Sequence, residues 1–306
     1  MYKRILLTLD RSSLAEMPID YAIWLAKKSG AELTIMHVCG PEDCACEPGK
    51  CQVIPEAQRY VEQKAASIAL TGGIKQVKPH IVAGDPATEI LRYVDEHDVD
   101  LIIMATHGRS GVDRWLVGSV ADKVVRNSNH PVRLVRPFAS AEKKDETPDK
   151  TVLVLLDGSE VAEKILPYAA YHARLSNGEL ILLSVCEPPE IMHPVSYNLI
   201  PDSYPRKRPV QWYKYVEQET KRRQKQCQLY LDKLSEGTKE KEFKVRFESL
   251  SGDPAVEITK FLENNKISLI AMTTRGRSGV SRWVLGSIAE TVLLTTSSPV
   301  LVLRPA

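Results

Sequence analysis

At 306 residues the chain has room for two domains of about 150 residues each, and a hydrophobic content of 43% is enough for two packed cores. Lys+Arg number 41 against 39 Asp+Glu, a balance that argues against a protein dedicated to nucleic acid, where a basic excess is usual. No stretch approaches the roughly 20 apolar residues needed to span a bilayer, so no membrane partner is expected.

In chain order, short apolar, β-rich runs predict strands near 3–9, 32–38, 76–82, 100–105 and 131–136. Segments of helical period lie between them, near 13–29, 55–71, 86–97 and 117–128. Asp85 is placed to cap the third helix, with Pro86 supplying the fixed φ of its first turn. Strands alternating with helices imply an α/β fold with a parallel sheet and helices on both faces. The segment Phe138–Lys150 (FASAEKKDETPDK) is small, charged and contains proline, as a linker would be. The expected division is therefore domain 1 over 1–138, a linker over 139–149 and domain 2 over 150–306. Met1–Ile5 runs directly into the first strand and lacks a signal peptide's length and cleavage site. The six cysteines are too few and too clustered for a disulfide framework. The cytoplasm is the expected compartment.

The second half repeats the first. RILLTLD at Arg4–Asp10 is answered by TVLVLLD at Thr151–Asp157, and Val38-Cys39 by Val185-Cys186. Gly84-Asp85-Pro86-Ala87 returns as Gly252-Asp253-Pro254-Ala255, and HGRSGVDRWLVGS at His107–Ser119 as RGRSGVSRWVLGS at Arg275–Ser287. Each half closes on a Pro-Val strand, Pro131–Arg136 and Pro299–Arg304. The early landmarks are 147 residues apart (Asp10, Asp157) and the later ones 168 (Gly84, Gly252), so the second copy holds 21 extra residues. A long insertion is expected near 187–212, rich in Pro and Tyr, followed by a polar helix carrying Lys221-Arg222-Arg223. A solvated helix is the first expectation there, a partner-docking surface the second.

In an open parallel sheet, ligands bind beyond the carboxyl ends of the strands, where strand order reverses. The first strand of each copy ends in Asp10 or Asp157, and the fourth leads into Ala105-Thr106-His107-Gly108 or Thr273-Thr274-Arg275-Gly276. Gly118-Ser119 and Gly286-Ser287 then open a helix. Glycine there lets backbone approach a ligand, and the free amides of the helix start favour phosphate. The aspartate suits a ribose hydroxyl or a metal ion. Arg109, Arg114, Arg277 and Arg282 can neutralise phosphate charge and His107 can titrate beside it, although solvated loop positions are the commoner explanation for such residues. Trp115 and Trp283 read as packing residues. On these residues alone, nucleotide binding and a purely structural turn stand level.

The spacing Ala105-x2-Gly108-x9-Gly118-Ser119, with its twin Thr273-x2-Gly276-x9-Gly286-Ser287, resembles the G-x2-G-x9-G-[S/T] pattern of the universal stress protein family. The strand-end aspartate, the GDPA turn and the terminal Pro-Val strand match as well, so the chain resembles a tandem member over nearly its whole length. The resemblance implies five-stranded parallel sheets of order 3-2-1-4-5, doubly wound. It also implies two-fold pairing of the domains through their last strands, and allows a further homodimer. In the ATP-binding branch, Asp10 and Asp157 would face the adenosine and Val38 and Val185 flank the adenine. Gly108, Gly118 and Ser119, with Gly276, Gly286 and Ser287, would hold the phosphates, with Mg²⁺ as a companion ion. Both copies depart from the pattern: its first glycine is Ala105 in one and the bulkier Thr273 in the other, which slightly favours the domain 1 site. Asp157-Gly158-Ser159 is the more typical first turn, where domain 1 has Asp10-Arg11-Ser12.

Cys39, Cys44, Cys46 and Cys51 form C-x4-C-x-C-x4-C, thiol-rich enough for Zn²⁺ or redox chemistry. Cys39 has a counterpart in Cys186; the other three belong to domain 1 alone. The functional expectation is a stress-response protein regulated by ATP or a related adenine nucleotide and acting on a protein partner. The alternative is an interaction scaffold that binds no nucleotide and carries the local cysteine site. Dedicated catalysis is not expected, because no G-x4-G-K-[S/T] loop and no base beside a nucleophile is evident; slow ATP hydrolysis is the most these residues suggest.

Overall fold

The computed structural model describes residues 1–40, 43, 53–74, 76–106, 118–136, 148–189, 210–236, 243–275 and 285–305. Domain 1 runs β1 (Arg4–Thr8), α1 (Ser13–Glu16), α2 (Ile19–Ser29), β2 (Glu32–Cys39), α3 (Pro55–Gly72), β3 (Val77–Ala83), α4 (Pro86–Glu96), β4 (Leu101–Ala105), α5 (Ser119–Asn127) and β5 (Val132–Val135). Domain 2 repeats it as β6 (Thr151–Leu156), α6 (Glu160–Glu163), α7 (Leu166–Leu175), β7 (Glu179–Cys186), α8 (Val210–Glu236), β8 (Lys244–Ser251), α9 (Pro254–Asn264), β9 (Leu269–Thr273), α10 (Ser287–Thr295) and β10 (Val300–Leu303).

The single helix expected over 13–29 is two. Ser12 caps α1 by accepting from Ala15 N, and Pro18, which lacks an amide proton, breaks the run before α2 begins. Pro167 marks the same restart at the head of α7. Asp85 and Asp253 cap α4 and α9 through the amides of Thr88 and Val256. Part of domain 2's extra length is helical rather than loop, since α8 has 27 residues where α3 has 18.

The ten strands of the described residues form one sheet in the order β3-β2-β1-β4-β5-β10-β9-β6-β7-β8. Each half therefore has the 3-2-1-4-5 order, and every pairing is parallel except the central one, where β5 and β10 run antiparallel with Arg133 opposite Leu301. The two expected sheets are thus continuous across their last strands. Alternate side chains of a strand enter opposite core layers: Ile5 and Leu7 join one cluster, Leu6 the other, and both clusters extend through both copies. Burial on both faces is why the central strands read as unbroken apolar runs. Two arginines reach across the joint in two-fold fashion. Arg136 Nη1 donates to Leu294 O (3.2 Å) at the end of α10, and Arg304 Nη1 to Arg126 O (2.8 Å) at the end of α5, where cations complement the helix dipole.

A buried polar cluster adds an asymmetric contact between the domains. Arg133 Nη2 donates to Asp149 Oδ1 at 2.8 Å, and its guanidinium lies 3.5 Å from the centre of the Tyr21 ring. Tyr21 OH donates to Asp149 Oδ2 at 2.8 Å, and His172 Nδ1 lies 2.8 Å from the same oxygen. With Nδ1 facing a carboxylate, Nε2 accepts from Tyr2 OH at 2.9 Å. Asp149, at the end of the segment read as linker, is fully buried with His172. Burial alone would raise the Asp149 pKa, but the Arg133 charge and the hydrogen bonds from His172 and Tyr21 outweigh it and hold the carboxyl at about 2. Burial pushes His172 the opposite way, below its ordinary value.

Close by, a methyl group at Gly178 would lie 2.5 Å from the Lys150 carbonyl oxygen. Both atoms sit on backbone that cannot swing aside, so Gly178→Ala should destabilise by about 1–3 kcal/mol, as overpacking does. Urea denaturation of the variant tests this, and an unchanged midpoint would refute it.

Candidate functional site

Each half carries a cavity at the carboxyl ends of its central strands. The domain 1 cavity, about 410 Å³, is bounded by Asp10 after β1, Val38 on β2, Ala105 on β4 and Gly118-Ser119 at the head of α5. The domain 2 cavity, about 500 Å³, is bounded by Asp157, Val185, Thr273, Gly286 and Ser287. Sequence reasoning singled out all of these, and the fold brings each set together. His107, Gly108, Arg109, Arg114, Trp115, Gly276, Arg277, Arg282 and Trp283 lie outside the described residues, as do Cys44, Cys46 and Cys51.

The aspartates are positioned by tight turns. Asp10 Oδ1 accepts from Ser12 N (2.9 Å) and Ser12 Oγ (2.6 Å), and Asp157 Oδ1 from Ser159 N (3.0 Å) and Ser159 Oγ (2.6 Å). The turns need a left-handed residue between aspartate and serine. Gly158 has φ 81°, and Arg11 is held at 69°, a region that costs a side-chain-bearing residue more than it costs glycine. Arg11 is anchored by an ion pair of 2.7 Å to Asp43.

At the other wall, backbone clips the two ends of each glycine-marked loop. Gly118 N donates to Thr106 O at 2.6 Å, and Gly286 N to Thr274 O at 2.9 Å. Among the described residues, neither α5 nor α10 has a side-chain cap bond, and a helix start leaves its first amides without intrahelical acceptors. These are the donors an anion would meet. The bulk expected at Thr273 is partly absorbed, because its Oγ1 donates to Arg275 O at 2.5 Å.

The cavities differ in what the sequence did not reveal. Domain 2's is lined in addition by Glu219, Arg222, Arg223, Cys227 and Tyr230 of α8. That helix is not simply solvated: it packs over β7 and β8, Leu231 is buried, and its basic face borders the site. Glu219 accepts from Arg222 (2.7 and 2.8 Å) and Arg223 (3.0 Å), bonds that bring its carboxyl down to about 2. A period of 3.6 through Arg223, Cys227 and Tyr230 was the available signal. In domain 1 the missed residues are His37 and Asp43. His37 Nδ1 meets Leu9 O at 2.8 Å, and Nε2 lies 3.4 Å from Asp43 Oδ2. The ligand atoms of His37, Asp43 and Cys39 all fall within 4.8 Å of one another. The sequence signal was His37-x-Cys39, two residues that share a strand face.

The model of the universal stress protein family matches residues 1–136 and again 149–304. The chain belongs to that family. Among its relatives, a universal stress protein of Methanocaldococcus jannaschii is 29% identical over 142 residues, which is 44% of this chain and 83% of that protein. Universal stress protein YxiE of Bacillus subtilis is 29% identical over 150 residues, 44% of this chain and all of its own length. Such family members correspond to one copy each. A universal stress protein structure from Archaeoglobus fulgidus superposes over 99% of this chain and 96% of its own, with TM-score 0.68 and 21% identity. One from Pseudomonas aeruginosa does so over 99% and 94%, with TM-score 0.68 and 17% identity. These share the tandem fold. No helix among the described residues is long and apolar enough to cross a membrane.

Proposed function

We propose that this universal stress protein binds an adenine nucleotide, with the domain 2 cavity as the principal site, and regulates a protein partner in the stress response according to occupancy. The observation that carries this reading is the convergence, twice over, of a strand-end carboxylate with a Gly-Ser helix start across one cavity. A carboxylate suits ribose hydroxyls, and helix-start amides suit phosphate. The domain 2 cavity, about 500 Å³, is within the roughly 300–1,000 Å³ usual for small-molecule sites. It is favoured over its twin by the glycine-based Asp157 turn and by Arg222, Arg223 and Arg275 along its lining. Mg²⁺ would accompany the phosphates, and turnover, if any, is slow.

The test is to denature purified protein, identify and count the released nucleotide, and titrate ATP with Mg²⁺ into stripped protein. About one adenine nucleotide per chain is expected. Ser287→Ala should weaken binding by about tenfold, the worth of one hydrogen bond to a charged group, while Ser119→Ala leaves it unchanged. No released nucleotide and no binding in the titration would leave the scaffold reading in its place.

A further inference from the structure

We propose that domain 1 carries a metal site of its own, in which His37 Nε2, Cys39 Sγ and an Asp43 carboxylate oxygen hold one Zn²⁺-class cation. His37 and Cys39 project from the same face of β2 near its carboxyl end, and Asp43 folds back onto them. All three groups are buried, the Asp43 and His37 side chains at 2% exposure and Cys39 fully.

Three features point to a cation. The first is chemical. The Leu9 carbonyl accepts from His37 Nδ1, which must therefore carry a proton. Nε2 faces Asp43 Oδ2, which also accepts from Gly40 N at 3.1 Å, and the 3.4 Å approach calls for positive charge there, supplied by a shared metal ion or by a second proton on the ring. A backbone carbonyl on the distal ring nitrogen is also the usual support of a metal-bound histidine.

The second feature is metric. Nitrogen and oxygen ligands about 2.0–2.1 Å from Zn²⁺ at the tetrahedral angle stand about 3.3 Å apart, close to the 3.4 Å observed. The sulfur, already within 4.8 Å of both, would need to close to about 3.5 Å, a side-chain adjustment of about 1 Å. The third is selectivity. Imidazole and thiolate with one carboxylate suit Zn²⁺ and its neighbours rather than Mg²⁺, so this site is separate from any ion that accompanies a nucleotide. Cys39 binds as thiolate and releases its proton to solvent. Arg11 holds the other Asp43 oxygen at 2.7 Å and orients the carboxylate. His37 and Asp43 line the domain 1 cavity, so the remaining coordination position would open there to water or a small anion.

The repeat supplies an internal comparison. At the position of His37, domain 2 has Ser184, whose hydroxyl oxygen receives Cys227 Sγ at 3.1 Å. The thiol at Cys186 is retained but its imidazole partner is not, so the site belongs to domain 1.

The full chain, stripped of metal and nucleotide, is titrated with Zn²⁺ and with Co²⁺ in the absence of Mg²⁺. One ion per chain is expected, with a thiolate-to-cobalt charge-transfer band and the visible absorption of a tetrahedral ion. Cys39→Ser and His37→Gln should each weaken Zn²⁺ by more than about 100-fold, beyond the 10–100-fold typical of losing an outer-sphere partner. X-ray absorption on the wild-type zinc protein should show both imidazole and sulfur, which keeps the question decidable if a variant fails to fold. No bound ion, a zinc sphere without imidazole, or binding that survives Cys39→Ser but is lost in a Cys44/Cys46 double serine variant would each overturn the assignment.

Discussion

Asp149→Ala should lower the unfolding free energy by about 3–5 kcal/mol, the usual consequence of removing one partner from a buried ion pair. The loss comes less from the bond than from what remains. Arg133 would stay in the core with its charge, at 1% exposure, and Tyr21 and His172 Nδ1 would lose the carboxylate they share, leaving them their mutual contact of 3.1 Å. Because Arg133 and Tyr21 belong to domain 1 and His172 to domain 2, the loss should appear as a lowered midpoint for the whole chain in urea denaturation. A variant with the wild-type midpoint would sink the argument.

The same cluster sets a pH dependence. His172 is depressed below its ordinary value in the folded chain, so on acidification the unfolded chain takes up that proton first, from about pH 6.5 downward. Stability should fall through this range by at most about 1.4 kcal/mol per pH unit. Asp149, held at about 2, behaves differently. Its contribution is complete above the ordinary carboxylate value and fades only as pH drops towards about 2. Urea midpoints at about pH 7 and pH 5 should therefore differ in wild type and differ less in His172→Gln, the remainder coming from His80, which burial also holds below its ordinary value; a flat wild-type profile would contradict the neutral, buried histidine.

Gly286→Val should cost adenine-nucleotide affinity by at least about 100-fold, roughly 2.7 kcal/mol, together with about 1–3 kcal/mol of stability from crowding. A β-carbon at this position would lie 3.3 Å from the Thr274 carbonyl oxygen, the same atom that accepts from Gly286 N. Valine adds two branches beyond that carbon. Either the strand end or the helix start must retreat, and both border the cavity. Isothermal titration reads the outcome directly. Binding retained in Gly286→Val but lost in Gly118→Val would move the nucleotide to domain 1.

Much of this was legible because duplication prints each landmark twice. Asp10 and Asp157, or Gly118 and Gly286, drew attention as pairs, and the fold places the members of each pair alike. What stayed hidden depends on three-dimensional approach. Arg222 and Arg223 belong to a helix whose polarity suggested solvent, yet its apolar positions, such as Leu231, dock it so that the arginines border a cavity. His37 sits in an apolar strand, where histidine reads as an ordinary core residue until Asp43 is seen to fold back on it. Arg133 lies in the middle of a strand, where nothing local announces a buried cation; its partner Asp149 stands in a charged stretch that resembles a linker. Pro18 is plain in the sequence, but the helical period continues across it, so the break between α1 and α2 shows only in the fold.

The antiparallel seam between β5 and β10 joins two halves that share one polypeptide. Were they separate subunits, their association would weaken on dilution, and two diverged versions would sort into three species. A covalent tether makes association intramolecular and fixes a one-to-one ratio of unlike halves. Each half is then released from the requirement of self-complementarity. Domain 1 can acquire a histidine, and domain 2 an arginine-lined rim, without either change appearing twice in every assembled molecule. Tandem fusion thus turns a symmetric platform into one with two distinguishable cavities.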